Sequence, residues 1–247
     1  MAVKTRIDKA LHERGFAESR SKAQALVMAG IVLVNERRVD KPSESIGPED
    51  VIRIKGDSPA SRYVGRGGLK LEHALREFKI DPSGMNCIDI GSSTGGFTDC
   101  LLQHGARRVT AIDAGTNQLD WKLRSDPRVE VHENTNARTL SPDDFPERFD
   151  LAVMDVSFIS VTKIFPALVA TLTPVGKLVV LIKPQFEVGK GEVGKGGIVR
   201  DPEKHERVIR EVNESAGNVG FRPAGVIDSP ILGAEGNKEF LALYELA

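Results

Sequence analysis

The plainest chemical signal lies in "CIDIGSSTGGFTDCLL", residues 87–102. An apolar run containing Asp89 enters Gly91, Ser92, Ser93, Thr94, Gly95 and Gly96, and an amphipathic stretch begins at Phe97. A strand, a bare glycine turn and a helix N-terminus together present backbone N–H groups to a ligand that must come close. Dinucleotides, nucleoside triphosphates and S-adenosylmethionine all use such a turn. A dinucleotide needs G-x-G-x-x-G, and the second glycine is missing here. A triphosphate loop needs G-x-x-x-x-G-K-[ST]; Gly189 to Gly194-Lys195 comes near it, but Gly196 follows. S-adenosylmethionine fits better. It carries no phosphate, and its amino-acid tail can meet backbone N–H groups. Asp113, in "VTAIDAG", follows Gly91 by about 20 residues, the spacing for an acid that holds ribose hydroxyls. Asn134 or Asn136, after the third strand, is placed to meet adenine, and Ser92 and Thr94 can also serve only to shape the turn.

Two further residues interrupt apolar strands. Asp155 ends "LAVMD" and Lys183 ends "LVVLIK". Both fall at the carboxyl edge, where open α/β sheets bind ligands. The five histidines show no ligand spacing. Cys87 and Cys100 fall on a strand and a helix, as buried small hydrophobes do, so no metal is expected.

These residues need a frame. Strands are expected at 86–90, 108–112, 129–133, 150–156, 178–183, 223–229 and 239–245, with helices at about 95–104, 117–124, 160–171 and 202–217. Such alternation predicts a parallel sheet covered on both faces. The last strand follows its predecessor through a loop too short for a crossover helix, so it should run antiparallel.

The front of the chain reads differently. "TRIDKALHERG" and "SRSKAQALVMAG" are two helices, the second capped by Ser19 or Ser21 and stopped at Gly30. "IVLVNERRV" and "SIGPEDVIRI" are two short β-branched runs. Residues 1–41 hold nine Lys and Arg against five acids, and residues 61–80 five against two, in a chain of net charge −1. That asymmetry points to a polyanionic partner. Arg20 and Lys22 open a helix whose N-terminus already favours phosphate. The chain of 247 residues is 40% hydrophobic, has no apolar run of membrane-spanning length and shows no secretory signal at its start, so a cytoplasmic protein is expected.

"SRSKAQALVMAGIVLVNERRVDKPSESI" resembles the small RNA-binding domain of ribosomal protein S4. "DIGSSTGGFTDCLL", "VMDVSFIS", "LIKPQFE" and "NKEFLALYEL" resemble the FtsJ-like ribose 2′-O-methyltransferases. Joined, they make the whole chain similar to the TlyA family of rRNA methyltransferases, also named haemolysins. The resemblance implies a Rossmann-like, doubly wound α/β sheet of seven strands with the last antiparallel, preceded by a small α+β domain. The boundaries expected are 1–60 for the S4-like domain, 61–68 for a linker and 69–247 for the methyltransferase. It implies S-adenosylmethionine as cofactor, bound by Asp89, Gly91 to Phe97, Asp113, Asn134, Asn136 and Asp155. It implies a catalytic set of Lys70, Asp155, Lys183 and Glu239, with Glu235 an alternative to Glu239. It implies RNA contacts from Arg6, Arg20, Ser21, Lys22, Arg37, Arg38, Arg62, Arg66, Lys190 and Lys195, the last two on a glycine-rich loop (186–200) expected to order only on substrate. The activity expected is 2′-O-methylation of ribosomal RNA, on cytidine by family resemblance, with rRNA or ribosomal subunits as partners and no membrane. The competing classes are an inactive RNA-binding assembly protein and a cytolysin.

Overall fold

Ile7, Ala10 and Leu11 share one helix face, and in the computed structural model they are buried with Ala23 and Val27 of the next helix. The structure describes residues 4–17, 19–54, 62–189 and 191–246. It divides into two units, Met1–Arg62 and Tyr63–Ala247.

In the front unit, strand β1 (Thr5–Arg6) leads into helices α1 (Ile7–Glu13) and α2 (Arg20–Met28). Ser19 caps α2, its Oγ accepting from Lys22 N at 3.2 Å. Each of the two β-branched runs then breaks in two, giving β2 (Val32–Val34), β3 (Arg37–Arg38), β4 (Ser45–Ile46) and β5 (Ile52–Ile54). The first break is conformational: Asn35 and Glu36 both take positive φ, 50° and 63°, so the chain reverses and β3 pairs back on β2. β2 also pairs with β5, and β1 with β4.

The second unit starts earlier than the sequence suggests. Tyr63 is already 4% exposed within its core, and helix α3 begins at Gly67 (Gly67–Glu77), so residues 63–68 are packed structure; Ser61 lies outside the described residues. The central sheet holds β6 (Asn86–Ile90), β7 (Arg108–Ile112), β8 (Val129–His132), β9 (Phe149–Met154), β10 (Leu172–Ile182), β11 (Phe221–Asp228) and β12 (Phe240–Leu246) in the order β11-β12-β10-β9-β6-β7-β8. β6 to β10 pair in parallel, and β12 inserts antiparallel between β10 and β11. Both faces are buried, as the alternation along each strand requires. Leu178, Val180 and Ile182 join one apolar cluster, Val179 and Leu181 the other.

Helices α4 (Gly96–Gln103), α5 (Trp121–Arg124), α6 (Phe165–Thr171), α7 (Pro184–Glu187) and α8 (Pro202–Asn218) connect the strands. α5 is shorter than expected. Asn117 takes φ 56°, and Asp120 caps the helix by accepting from Lys122 N at 2.8 Å, so no turn forms before Trp121. The expected helix at 160–171 is likewise split, into a 3₁₀ turn at Val161–Lys163 and α6 with Pro166 near its start. β10 begins six residues early, directly after α6. The chain passes from β6 to β7 and β8 on one side, then returns to β9 on the other. The loops after β6 and β9 therefore diverge, opening the crevice in which such sheets bind ligands.

Candidate active site

The glycine turn sits at that crevice. Gly91 takes φ 82°, and a side-chain carbon there would lie 2.5 Å from the Asp155 carbonyl oxygen. Only glycine lets the ends of β6 and β9 close up, with Asp155 N donating to Ile90 O at 2.9 Å. Gly96 is hemmed in from elsewhere: a carbon there would meet Gly68 N at 3.0 Å and Gly65 O at 3.1 Å. The "GRGG" turn thus packs onto the "TGG" turn. Buried Asp99 fastens the approach, accepting from Val64 N at 2.9 Å.

Two cavities meet here. One, of about 410 Å³, has an apolar wall of Ile90, Ile112, Ile159 and Ile164 and reaches Asp113 and Asn136. The other, of about 360 Å³, is lined by Lys70, Asp155, Lys183 and Glu239, with Arg66 and Thr94. Gly91, Ser93, Asp155, Ser157 and Phe158 border both.

The four charged residues form two ion pairs. Lys183 and Asp155 each stand one residue beyond their strands, β10 and β9, which are neighbours. Lys183 Nζ lies 2.6 Å from Asp155 Oδ1 and donates a 2.9 Å hydrogen bond to Ser157 Oγ. Lys70, in the first turn of α3, meets Glu239 Oε2 at 2.5 Å, and both side chains are nearly sealed, at 10% and 2% exposure. Glu239 lies just before β12 and fills the space where a side chain at Gly233 would go. Glu235 is exposed on a left-handed turn, so Glu239 is the partner of Lys70.

Asp113 uses both oxygens on backbone, accepting from Ser93 N and Gly115 N at 2.7 Å each. It thereby ties the glycine turn to the end of β7. Ser92, Thr94, Gly96 and Phe97 line the cavity that holds Lys70, Asp155, Lys183 and Glu239. Three residues expected at the cofactor line neither cavity. Gly95 (φ 99°) faces Leu119 and Leu123; Asn134 (φ 54°) donates its N–H to Gly115 O at 3.0 Å; Asp89 lies underneath, fully buried. Asp89 Oδ2 accepts from Thr98 Oγ1 at 2.6 Å and holds the first turn of α4, while Oδ1 has no hydrogen-bond partner. Burial pushes its carboxyl up to about 7, against the hydrogen bonds from Thr98. Burial likewise pushes the Cys87 thiol up to about 12, as befits an inert core cysteine.

Several site residues escaped sequence reasoning: Gly65 and Gly67, Asp99, Ser157, Phe158, Gln185, Phe186 and Gly233. Phe158 is 91% exposed with φ 65°, and its ring centroid lies 5.2 Å from that of Phe186. Glu187 is the clasp of this region, accepting from Ser160 Oγ at 2.6 Å and Val161 N at 2.9 Å; burial raises its carboxyl pKa. The run "SFIS" and the "PQFE" motif carried these aromatics in plain sight, but no periodicity separates a cleft aromatic from a core one.

Among the residues expected to touch RNA, Ser21, Lys22, Arg62, Arg66 and Lys195 are exposed. Arg37 pairs with Glu44 at 2.5 Å and Arg38 with Asp40 at 2.6 Å. Arg6 and Arg20 both reach Asp8. Lys190 lies outside the described residues. Side chains from outside the glycine-rich loop bond to its described residues. Glu192 accepts from Arg207 Nη2 at 2.7 and 2.8 Å, and buried Asn237 bonds Val199 N at 3.1 Å and Gly197 O at 2.9 Å. Its glycines are turn residues, anchored by side chains from α8 and the stretch before β12. Among the described residues, no group of acids, histidines and cysteines is gathered to hold a metal ion, and no helix is long and apolar enough to cross a membrane.

The S4 domain model matches residues 5–52. A Bacillus subtilis protein named YqxC is 50% identical over 239 residues, 96% of this chain and 84% of that protein. The Mycobacterium tuberculosis 16S/23S rRNA (cytidine-2′-O)-methyltransferase TlyA is 44% identical over 240 residues, 97% of this chain and 89% of its own. A solved structure described as a hemolysin from Streptococcus thermophilus superposes with a TM-score of 0.76 at 46% identity, covering 100% of this chain and 90% of that one. The FtsJ-like methyltransferase model matches residues 63–245, and the chain belongs to that family.

Proposed function

We propose that this protein methylates the ribose 2′-oxygen of a cytidine in ribosomal RNA, using S-adenosylmethionine, in the cytoplasm. The observation that carries the reading is the Lys183–Asp155 pair, which lines one cavity and whose carboxylate borders both. The cavity by Asp113 has the size and apolar wall for a nucleoside. Gly91 borders both cavities, so a ligand chain can pass over its backbone from one toward Thr94 and the start of α4 in the other. When bound there, S-adenosylmethionine supplies an already activated methyl group. What remains is to place a poorly acidic hydroxyl in line with it and take its proton.

Lys183 is the residue for that. Pro184 fixes the chain after it, Asp155 and Ser157 hold its ammonium, and once that ammonium has given a proton to solvent the free amine accepts the one that the ribose hydroxyl loses. Lys70 and Glu239, sealed behind, hold α3 to β12 and set the back wall. Phe158 and Phe186 form a ring platform at the mouth, suited to stacking an unpaired base. Arg66, on the cavity rim, offers charge to an RNA backbone, exposed Lys195 adds to it from the glycine-rich loop, and the front unit supplies affinity for RNA rather than chemistry. The test is to map ribose methylation on ribosomal RNA from cells with and without the protein. One cytidine or more losing its 2′-O-methyl on deletion supports the reading. Unchanged maps beside altered subunit assembly would favour an RNA-binding assembly protein, and cell lysis by the purified protein would favour a cytolysin.

A further inference from the structure

Among the described residues of the front unit, Asp8 is the acid that is fully buried. It is sealed by its own partners. Asp8 Oδ2 accepts from Arg6 Nη2 and Arg20 Nη2 at 3.0 Å each and from Gln24 Nε2 at 2.9 Å, and Oδ1 accepts from Arg6 Nε at 3.1 Å. The two arginines remain 48% and 52% exposed. Three elements therefore converge on one carboxylate: β1 through Arg6, α1 through Asp8 itself, α2 through Arg20 and Gln24.

The chemistry is specific. Two guanidinium groups brought to one atom repel each other unless an anion lies between them. Asp8 is that anion, and Arg6 and Gln24 hold it well below the usual carboxylate range. A guanidinium has five N–H donors in a rigid fork. Arg6 places two nitrogens on Asp8 and Arg20 one, so the remaining N–H groups of both forks stay free of Asp8, on half-exposed side chains that meet at one carboxylate oxygen. Paired forks fixed in this way match the oxygens of one phosphodiester.

We infer that Asp8 assembles Arg6 and Arg20 into a two-arginine clamp for a single backbone phosphate of RNA. The inference rests on the RNA-binding reading of the front unit and adds to it. Asp8 strengthens RNA binding although it is an acid on a basic face. A carboxylate that only diluted the positive charge would weaken binding. The two cases have opposite signs.

The experiment measures affinity of the full chain for a ribosomal RNA fragment by fluorescence anisotropy, across a salt series. Asp8→Asn should bind roughly tenfold more weakly than wild type, the loss of about one charge-assisted contact. Arg20→Lys leaves Asp8 in place and keeps the charge but loses the fork. It should also bind several-fold more weakly, with the log–log salt slope unchanged, since slope follows the number of charges. It serves as the deciding variant if Asp8→Asn fails to fold. Asp8→Asn binding as tightly as wild type, or more tightly, overturns the inference, as does Arg20→Lys binding like wild type. If the wild-type protein binds no RNA, the underlying reading falls first and the clamp with it.

Discussion

The two ion pairs of the candidate site each set a lysine against a carboxylate, and they differ in how far the carboxylate is sealed. The lysines are alike, 10% exposed at Lys70 and 11% at Lys183, and both line one cavity, but Glu239 is sealed at 2% exposure between a helix and a strand, while Asp155, at the strand ends, is 20% exposed and borders both cavities. A sealed pair holds elements in place, and removing one partner leaves a charge with nothing to answer it. A pair at a cleft wall is already half-committed to a ligand. The same division separates two aspartates. Asp89 is buried beneath the glycine turn, whereas Asp113 borders the cavity. Position relative to the crevice, rather than residue type, divides architecture from chemistry here.

The largest effect should come from the open pair. Lys183→Ala is expected to lower methyl transfer by about 10²–10⁴-fold, the range for a lost acid–base group. Its affinity for S-adenosylmethionine by calorimetry should stay within a few-fold, because the lysine acts on the hydroxyl. A parallel collapse of cofactor affinity would erase the distinction between the pairs.

The sealed pair should respond in stability. Glu239→Ala strands Lys70 in a buried site and should cost about 3–5 kcal/mol in denaturant unfolding, with the second unit's transition moving most. A full-stability Glu239→Ala protein would show the pair to be ornamental.

Asp89 sharpens the contrast through pH. Its carboxyl sits near 7 when folded, against 3.8 as the ordinary value. Between those values the folded state holds a proton that the unfolded state has released. Stability therefore falls as pH rises through this window, by up to about 1.4 kcal/mol per unit, and levels off above it. Asp89→Asn should flatten that slope in urea melts at pH 4 to 7; an unchanged slope would place the titration elsewhere.

Asp113→Ala should be mildest, weakening cofactor binding by about 1–3 kcal/mol. Because Asp113 also fastens Ser93 N and Gly115 N, Asp113→Asn should recover part of the loss.

These contrasts also mark what the sequence can disclose. The sheet was legible because its strands are short apolar runs at regular intervals, and the reversal of β12 followed from a loop too short to cross over. Gly91 and Lys183 were legible because each breaks a pattern. The division of four charged residues into two pairs was not, since Lys70 and Glu239 lie 169 residues apart and meet only through the fold. Asp89 and Asp113 were both expected at the cofactor, each two residues before a glycine. Burial separates them, and burial beneath a turn leaves no periodic trace. The contacts of the glycine-rich loop were not legible either, because Arg207 and Asn237 lie outside it.

The central claim is that Lys183 takes the proton from a ribose hydroxyl. Arginine at this position keeps the charge and the pairing with Asp155 but cannot release a proton in water at any working pH. The measurement is transfer of labelled methyl to ribosomal RNA by wild type and Lys183→Arg at matched cofactor saturation, followed by digestion to nucleosides. The account predicts wild-type label on the 2′-oxygen of cytidine and Lys183→Arg nearly as inactive as Lys183→Ala. Near-normal transfer by Lys183→Arg would reduce the lysine to an orienting charge, and label on a base would contradict the account outright.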